Sequence, residues 1–361
     1  MAKARQITGI NCDAGAVNGI HRVVNTRLDE MTALREKALD WSTPAGVHDM
    51  RVASRRLRTV LSDFSPYLRK RRISASVKEI KAIAEALGKV RDQDVAVKAL
   101  ESLAAIAPPE ISAGIQNLID DRRMNLDKAR EQLNAVVDQE RLVQLRSDFF
   151  TNFEASLKAP RRRGKSGHND NVTNDPSYRD VARATILNRL EEFEKLSNSL
   201  YHPLKIKPLH KMRIAAKELR YAIELFDQCW GNSIVTFAKK LAKLQTALGD
   251  LHDCDVWIAD SGDYLSGPTK QTAAGQATKE HEVAAVWLLA YFVRLRTKHF
   301  RNALARWRDW DTNNLSEQLR KIVQVESSHP VSGDRLDSDV AKLPGGARTL
   351  QFPTPEEKKS A

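Results

Sequence analysis

Residues 47–64 read VHDMRVASRRLRTVLSDF, and the pattern returns at residues 209–226 as LHKMRIAAKELRYAIELF. Wound into a helix at about 100° per residue, the first copy gathers Met50, Ala53, Leu57, Val60, Leu61 and Phe64 into one sector, the core-facing side of an amphipathic helix. His48, Arg51, Arg55 and Arg58 fall in an adjoining sector. The second copy repeats both sets, with Met212, Ala215, Leu219, Ala222, Ile223 and Phe226 beside His210, Arg213, Lys217 and Arg220. No carboxylate interrupts either basic stripe, whereas a solvated helix face usually mixes signs for i to i+4 pairing. Each stripe is a rod of positive charge roughly 15 Å long, a shape that suits a linear polyanion.

Composition agrees with that reading. The chain has 361 residues, enough for one large domain or two to three ordinary ones, and a formal net charge of +12. Nucleic acid, anionic membrane and polyphosphate all attract such a chain. Cys12, Cys229 and Cys254 form no CxxC pair, so neither a disulfide framework nor a zinc module is expected, and a reducing, cytoplasmic compartment is. The N-terminus lacks the apolar core of a signal peptide. The most apolar run, residues 283–293, is well short of the roughly 20 residues of a membrane span and reads as a buried helix.

The flanking chain reads as helical almost throughout. Residues 1–18 are expected to be a flexible leader, and residues 20–39 to form a helix. Pro44 suits the first turn of the next one, which is expected to run to about Leu68 with the basic cluster 69–72 at its C-terminal end. Residues 74–87 follow, with Gly88 as a C-cap, and Gly249 is likewise expected at a helix end. Residues 111–157 form one long helical stretch or two helices. Residues 158–176 hold almost no apolar side chain and read as a polar linker. The expected division is therefore a helical half over 19–157, the linker, a second half over 177–314 and a largely disordered tail over 315–361.

The halves repeat one another. Arg189 to Phe193 aligns with Arg27 to Met31, and His210 with His48, both at an offset of 162 residues; the sequence LGKVRDQDV at 87–95 aligns with LGDLHDCDV at 248–256 at an offset of 161. Three motifs in one order mark an internal duplication, and the period is far too long for a stacked solenoid. The fold class expected is all-α: two pseudo-symmetric antiparallel helical bundles.

Two copies of His-x-x-Arg-x-x-x-(Arg/Lys)-x-x-Arg, each followed about 40 residues later by Leu-Gly-x-x-(Arg/His)-Asp-x-Asp-Val, resemble the CHAD family, the conserved histidine α-helical domain. The resemblance runs from about residue 20 to 312. It implies two four-helix bundles around a basic central groove or channel, binding of inorganic polyphosphate and association with polyphosphate granules. Carried over by residue, it implies ligand contacts from His48, Arg51, Arg55, Arg58, His210, Arg213, Lys217 and Arg220. The Glu-x-Glu-x-Lys signature of a CYTH triphosphate-tunnel domain is not found, so no triphosphatase reading comes with it.

The remaining polar residues divide into two groups. Lys78, Lys81, Arg91, Lys239, Lys243 and His252 are secondary basic candidates that extend the stripes. Asp92, Asp94, Asp253 and Asp255 are expected in structural roles, capping the helices that follow or bracing stripe arginines. Positions i and i+2 of a helix lie about 200° apart and do not share a metal, so no metal, cofactor or catalytic residue is expected. His48 and His210 read either as donors to phosphate or as hydrogen-bonded fillers at the core edge. Inorganic polyphosphate is the expected partner and no membrane insertion is; oligomeric state stays open. General nucleic-acid backbone binding is the first alternative, weakened because neither stripe includes a stacking aromatic. A polyphosphate-cleaving phosphohydrolase is the second.

Overall fold

The computed structural model describes residues 4–157, 176–266 and 275–325. Among these the chain is all-α, with no β-strand. Eleven helices follow in order: α1 (Ala16–Thr32), α2 (Arg35–Leu39), α3 (Ala45–Asp63), α4 (Lys70–Ala104), α5 (Pro109–Val136), α6 (Gln139–Ser156), α7 (Tyr178–Leu196), α8 (Ile206–Leu225), α9 (Asn232–Ser266), α10 (Gly275–Thr312) and α11 (Leu315–Gln324). Most of the expected linker and tail lies outside the described residues.

Two compact units are formed. One takes residues 2–97 and 121–182, the other residues 98–120 and 183–361. In the first, α3 packs on α1 and α2. All six residues of its apolar sector are buried, Met50, Leu57 and Phe64 completely. Each such side chain contributes about 1.5–3 kcal/mol of transfer free energy. Val23, Val24, Leu28 and Met31 of α1 and the stacked rings of Phe149 and Phe153 of α6 share the unit's core. Ahead of α1 the chain is tied down, since Arg27 donates to the carbonyl of Arg5 at 2.9 Å and Arg179 pairs with Asp13 at 2.7 Å. The α2–α3 approach is close: a Cβ built at Gly46 would lie 1.6 Å from the carbonyl oxygen of Lys37.

In the second unit α9 packs against both α8 and α10. The matching sector of α8 is likewise buried throughout, from Met212 to Phe226. Phe193 of α7 meets Trp307 and Trp310 edge-on at 5.6 and 5.5 Å, an arrangement that suits the ring quadrupoles. In the apolar run at 283–293, Ala284, Ala285, Leu288 and Phe292 turn inward, while Val283, Val286 and Val293 remain exposed. Beyond Asn314, where a tail was expected, α11 buries Leu319 and Val323.

Several expected boundaries are corrected. The helix expected over 20–39 breaks at Ala33–Leu34 into α1 and α2. α3 ends at Asp63, and the basic run 69–72 opens α4 instead of closing α3, so its cations sit at the helix end the dipole disfavours. Gly88 and Gly249 are not helix ends. They lie inside α4 and α9, each 35 residues long. A single glycine costs a helix only about 1 kcal/mol, less than the packing of so long a helix returns. Asp92 and Asp253 are therefore mid-helix and cap nothing. Cys254 is a free, buried cysteine inside α9.

Candidate functional site

Each unit brings one basic stripe against the motif that follows it in sequence. In the first unit α3 presents the stripe and α4 the motif. Arg51 crosses toward α4, where its guanidinium lies 3.6 Å from the Asp92 carboxylate. Its Nε would sit 3.8 Å from a Cβ at Gly88. The pair is exposed enough to be opened by a competing anion. One turn back along α3, His48 is half-buried. Burial, then the Arg91 charge, pushes its imidazole down to about 4, with Asp49 opposing and Arg55 adding. It is a neutral ring at neutral pH. Arg91 is itself half-buried, its affinity for its proton lowered first by burial, and its Nε makes no hydrogen bond among the described residues. Arg58, at the far end of the stripe, is exposed.

In the second unit α8 and α9 repeat the arrangement with different groups. His210 meets His252 where His48 has Arg91, their ring centroids 4.3 Å apart at 46°. The Nδ1 of each ring is buried and makes no hydrogen bond among the described residues. Burial, then Arg213 and His210, pushes His252 down to about 4; burial, then Arg213 and Lys217, lowers His210. Two neutral imidazoles face each other beside fixed cations, with ring nitrogens already stripped of water.

Not every stripe residue stands where a ligand could reach it. Arg220 is only 4% exposed. Its guanidinium lies over the Tyr221 ring, 4.9 Å from the centroid, and 3.6 Å from Glu224. The Tyr221 side chain that adjoins the stripe in sequence thus serves to pack Arg220. Lys78, Lys81, Lys239 and Lys243 are all exposed, and Lys81 pairs with Glu85 at 3.6 Å.

The motif carboxylates have separate roles. Asp94 is half-buried and its carboxyl is raised first by burial, against the opposing pull of Arg130 and Arg91. Asp255, 6% exposed, accepts from Arg296 Nε at 2.5 Å. Between Asp253 and Asp255, the thiol of Cys254 is pushed up to about 12 by burial and then by its acidic neighbours, so it stays protonated and unreactive. Among the described residues no group of three or more His, Cys, Asp or Glu side chains is arranged to hold a metal ion. Arg296 is the residue that sequence reasoning passed over. Arg146, which also follows a leucine, pairs instead with Asp29 at 2.9 Å.

Comparison with known proteins gives a consistent result. A family model for the CHAD domain matches residues 22–259. Two uncharacterised proteins from two strains of Mycobacterium tuberculosis are each 26% identical over 239 residues, 65% of this chain and 43% of theirs. The chain thus spans less than half the length of these relatives. Among solved structures, the crystal structure of the CHAD domain from the plant Ricinus communis aligns with a TM-score of 0.58 and 19% identity, covering 82% of this chain and 95% of that one. PptA from Streptomyces chartreusis aligns with the same TM-score and 13% identity, covering 82% and 100%. No helix among the described residues is long and apolar enough to cross a membrane.

Proposed function

This chain belongs to the CHAD domain family, and from that premise we propose that it binds inorganic polyphosphate through its two basic constellations, without chemically altering it. The observation that carries the reading is the pairing of fixed cations with desolvated, uncharged histidines: His48 beside Arg91 and Arg55, and His210 with His252 beside Arg213. Cations alone would suit any acidic surface. A neutral imidazole whose buried nitrogen has already lost its water donates to a phosphate oxygen, or takes up a proton from solvent and pairs with it, at little further desolvation cost. Arginine offers a planar fork to two phosphate oxygens at once.

At neutral pH each internal phosphate carries about one negative charge, so a polyphosphate chain resembles a nucleic-acid backbone without bases or sugars. Contacts by Arg51, Arg55, Arg58, Arg91, Arg213 and Lys217 release counterions, and affinity falls steeply with salt. A ligand long enough to engage both constellations gains from effective concentration. Association with polyphosphate granules follows from the same binding. Titration by calorimetry with short and long polyphosphate tests the reading. Affinity should rise with chain length, and Arg55→Ala with Arg213→Ala should lower it by roughly 100-fold, about 1.5 kcal/mol for each charge-assisted contact. RNA at equal phosphate concentration should fail to displace long polyphosphate at physiological salt. Equal competition would favour general nucleic-acid binding, and shortening of the chains with Mg²⁺ would replace binding by hydrolysis.

A further inference from the structure

The connection into α8, residues 201–206, reads YHPLKI, and its apolar side chains point away from the core. Leu204 is 87% exposed, Tyr201 52% and Ile206 46%. An isolated exposed leucine is ordinary, but three large apolar side chains within six residues on a firmly held turn are not. The turn is closed by His202 N–H donating to the Ser199 carbonyl and Lys205 N–H to the His202 carbonyl, both at 3.0 Å. From beneath, Arg296 of α10 donates to the Pro203 carbonyl at 2.8 Å. The same guanidinium is fixed by buried Asp255 of α9 at 2.5 Å. The second aspartate of the α9 motif thereby acts on the turn, propping it outward through Arg296.

The chain on either side of this knuckle carries one sign. Between Glu194 and Glu218 the chain has no carboxylate, and His202, Lys205, Lys207 and Lys211 are all exposed around the apolar tip. We propose that this knuckle docks the protein peripherally on an anionic phospholipid surface, with Leu204, Ile206 and the Tyr201 ring entering the headgroup region and the lysines pairing with lipid phosphates. Size decides between lipid and a protein partner. Three side chains offer at most a few hundred Å², against the roughly 800 Å² per partner of a stable protein interface. Interfacial anchoring needs only a small apolar area plus cations, each worth about 1 kcal/mol near an anionic leaflet. An aromatic ring at headgroup level belongs to the same pattern.

The duplicated half supplies an internal control. The aligned connection, residues 39–44, reads LDWSTP. There Asp40 accepts from Ser42 N–H at 3.0 Å, and the Trp41 ring lies under Arg130 at 5.2 Å. An acid stands where the second half has His202, and the large ring is engaged within the protein.

Flotation of the full chain with vesicles of phosphatidylcholine and about one-third phosphatidylglycerol tests the proposal. The wild type should float with these vesicles and not with pure phosphatidylcholine. Leu204→Asp with Ile206→Asp should lower partitioning at least ~10-fold, and Lys205→Glu with Lys207→Glu should lower it by a similar factor. Both variants should keep the wild-type melting temperature, and the first should keep wild-type polyphosphate affinity. Absence of flotation by the wild type overturns the proposal, as does unchanged flotation of Leu204→Asp/Ile206→Asp. Loss of flotation only in Arg51→Ala/Arg213→Ala would assign lipid binding to the stripes and overturn it too. So would a wild-type dimer, by light scattering, that Leu204→Asp/Ile206→Asp reduces to a monomer.

Discussion

The α3–α4 and α8–α9 constellations share one residue spacing, and they differ in how their charge is supplied. In the first, His48 faces Arg91, a cation at any physiological pH, and Arg58 at the stripe's end is exposed. In the second, His210 faces His252, and the residue matching Arg58 is buried against Tyr221. One half carries permanent charge along the helix pair; the other carries charge that depends on protons at its inner end and has converted its outer end into packing. Similar spacing in sequence therefore does not mean equal contribution to binding.

The sharpest way to break this comparison is to exchange the differing residue. His48 and His252 hold their protons only below about 4 in the free protein, because burial and neighbouring cations disfavour a second charge. Bound polyanion raises both values, so the complex binds more protons than the free protein, and affinity increases as pH falls from 8 toward 5. His252→Arg should tighten polyphosphate binding about tenfold at pH 8, the worth of one pKa unit, and flatten the pH profile measured by calorimetry. Arg91→His should do the reverse. Identical pH profiles for the wild type and His252→Arg would show that the imidazole pair is not the titrating element.

A smaller effect separates the outer ends of the stripes. Arg58→Ala should weaken binding about threefold to fivefold and reduce the slope of log affinity against log salt by about one, with no change in melting temperature. Arg220→Ala should instead lower stability by roughly 1 kcal/mol, through loss of its contact with the Tyr221 ring, and leave the salt slope nearly unchanged. Equal affinity losses with unchanged melting would erase the distinction.

The smallest expected change lies at the paired glycines. Cβ atoms at Gly88 and Gly249 would meet nothing closer than 3.8 Å. Gly88→Ala and Gly249→Ala should each stabilise the protein by roughly 0.5–1 kcal/mol, seen as a rise of a few degrees in thermal melts. A fall at Gly88 alone would mean that Arg51 needs the space beside it.

Much of this was legible from the residues themselves. The apolar sectors of 47–64 and 209–226 are buried to the last residue because a helix has only one face to give a core, and period alone identifies it. The histidines and arginines of the stripes came from the same wheel. What escaped were features set by partners distant in sequence. Gly88 and Gly249 looked like helix ends because local propensity favours a break there, and only tertiary packing carries α4 and α9 through them. Arg220 looked equivalent to Arg58 because nothing in its spacing reveals the ring that covers it. Arg296 and Asp255 lie 41 residues apart, and no local pattern ties them to the turn at 201–206.

Gly46 sets a different kind of limit. It stands two residues before His48, and a single methyl group there would run into the Lys37 carbonyl, which belongs to backbone and has little room to yield. The aligned position in the other half is Pro208, in the first turn of α8, where a missing N–H costs little. Exchanging one stripe cation for another changes only an exposed or half-buried side chain, whereas a methyl group at Gly46 would push α2 and α3 apart and displace the start of the helix that carries His48.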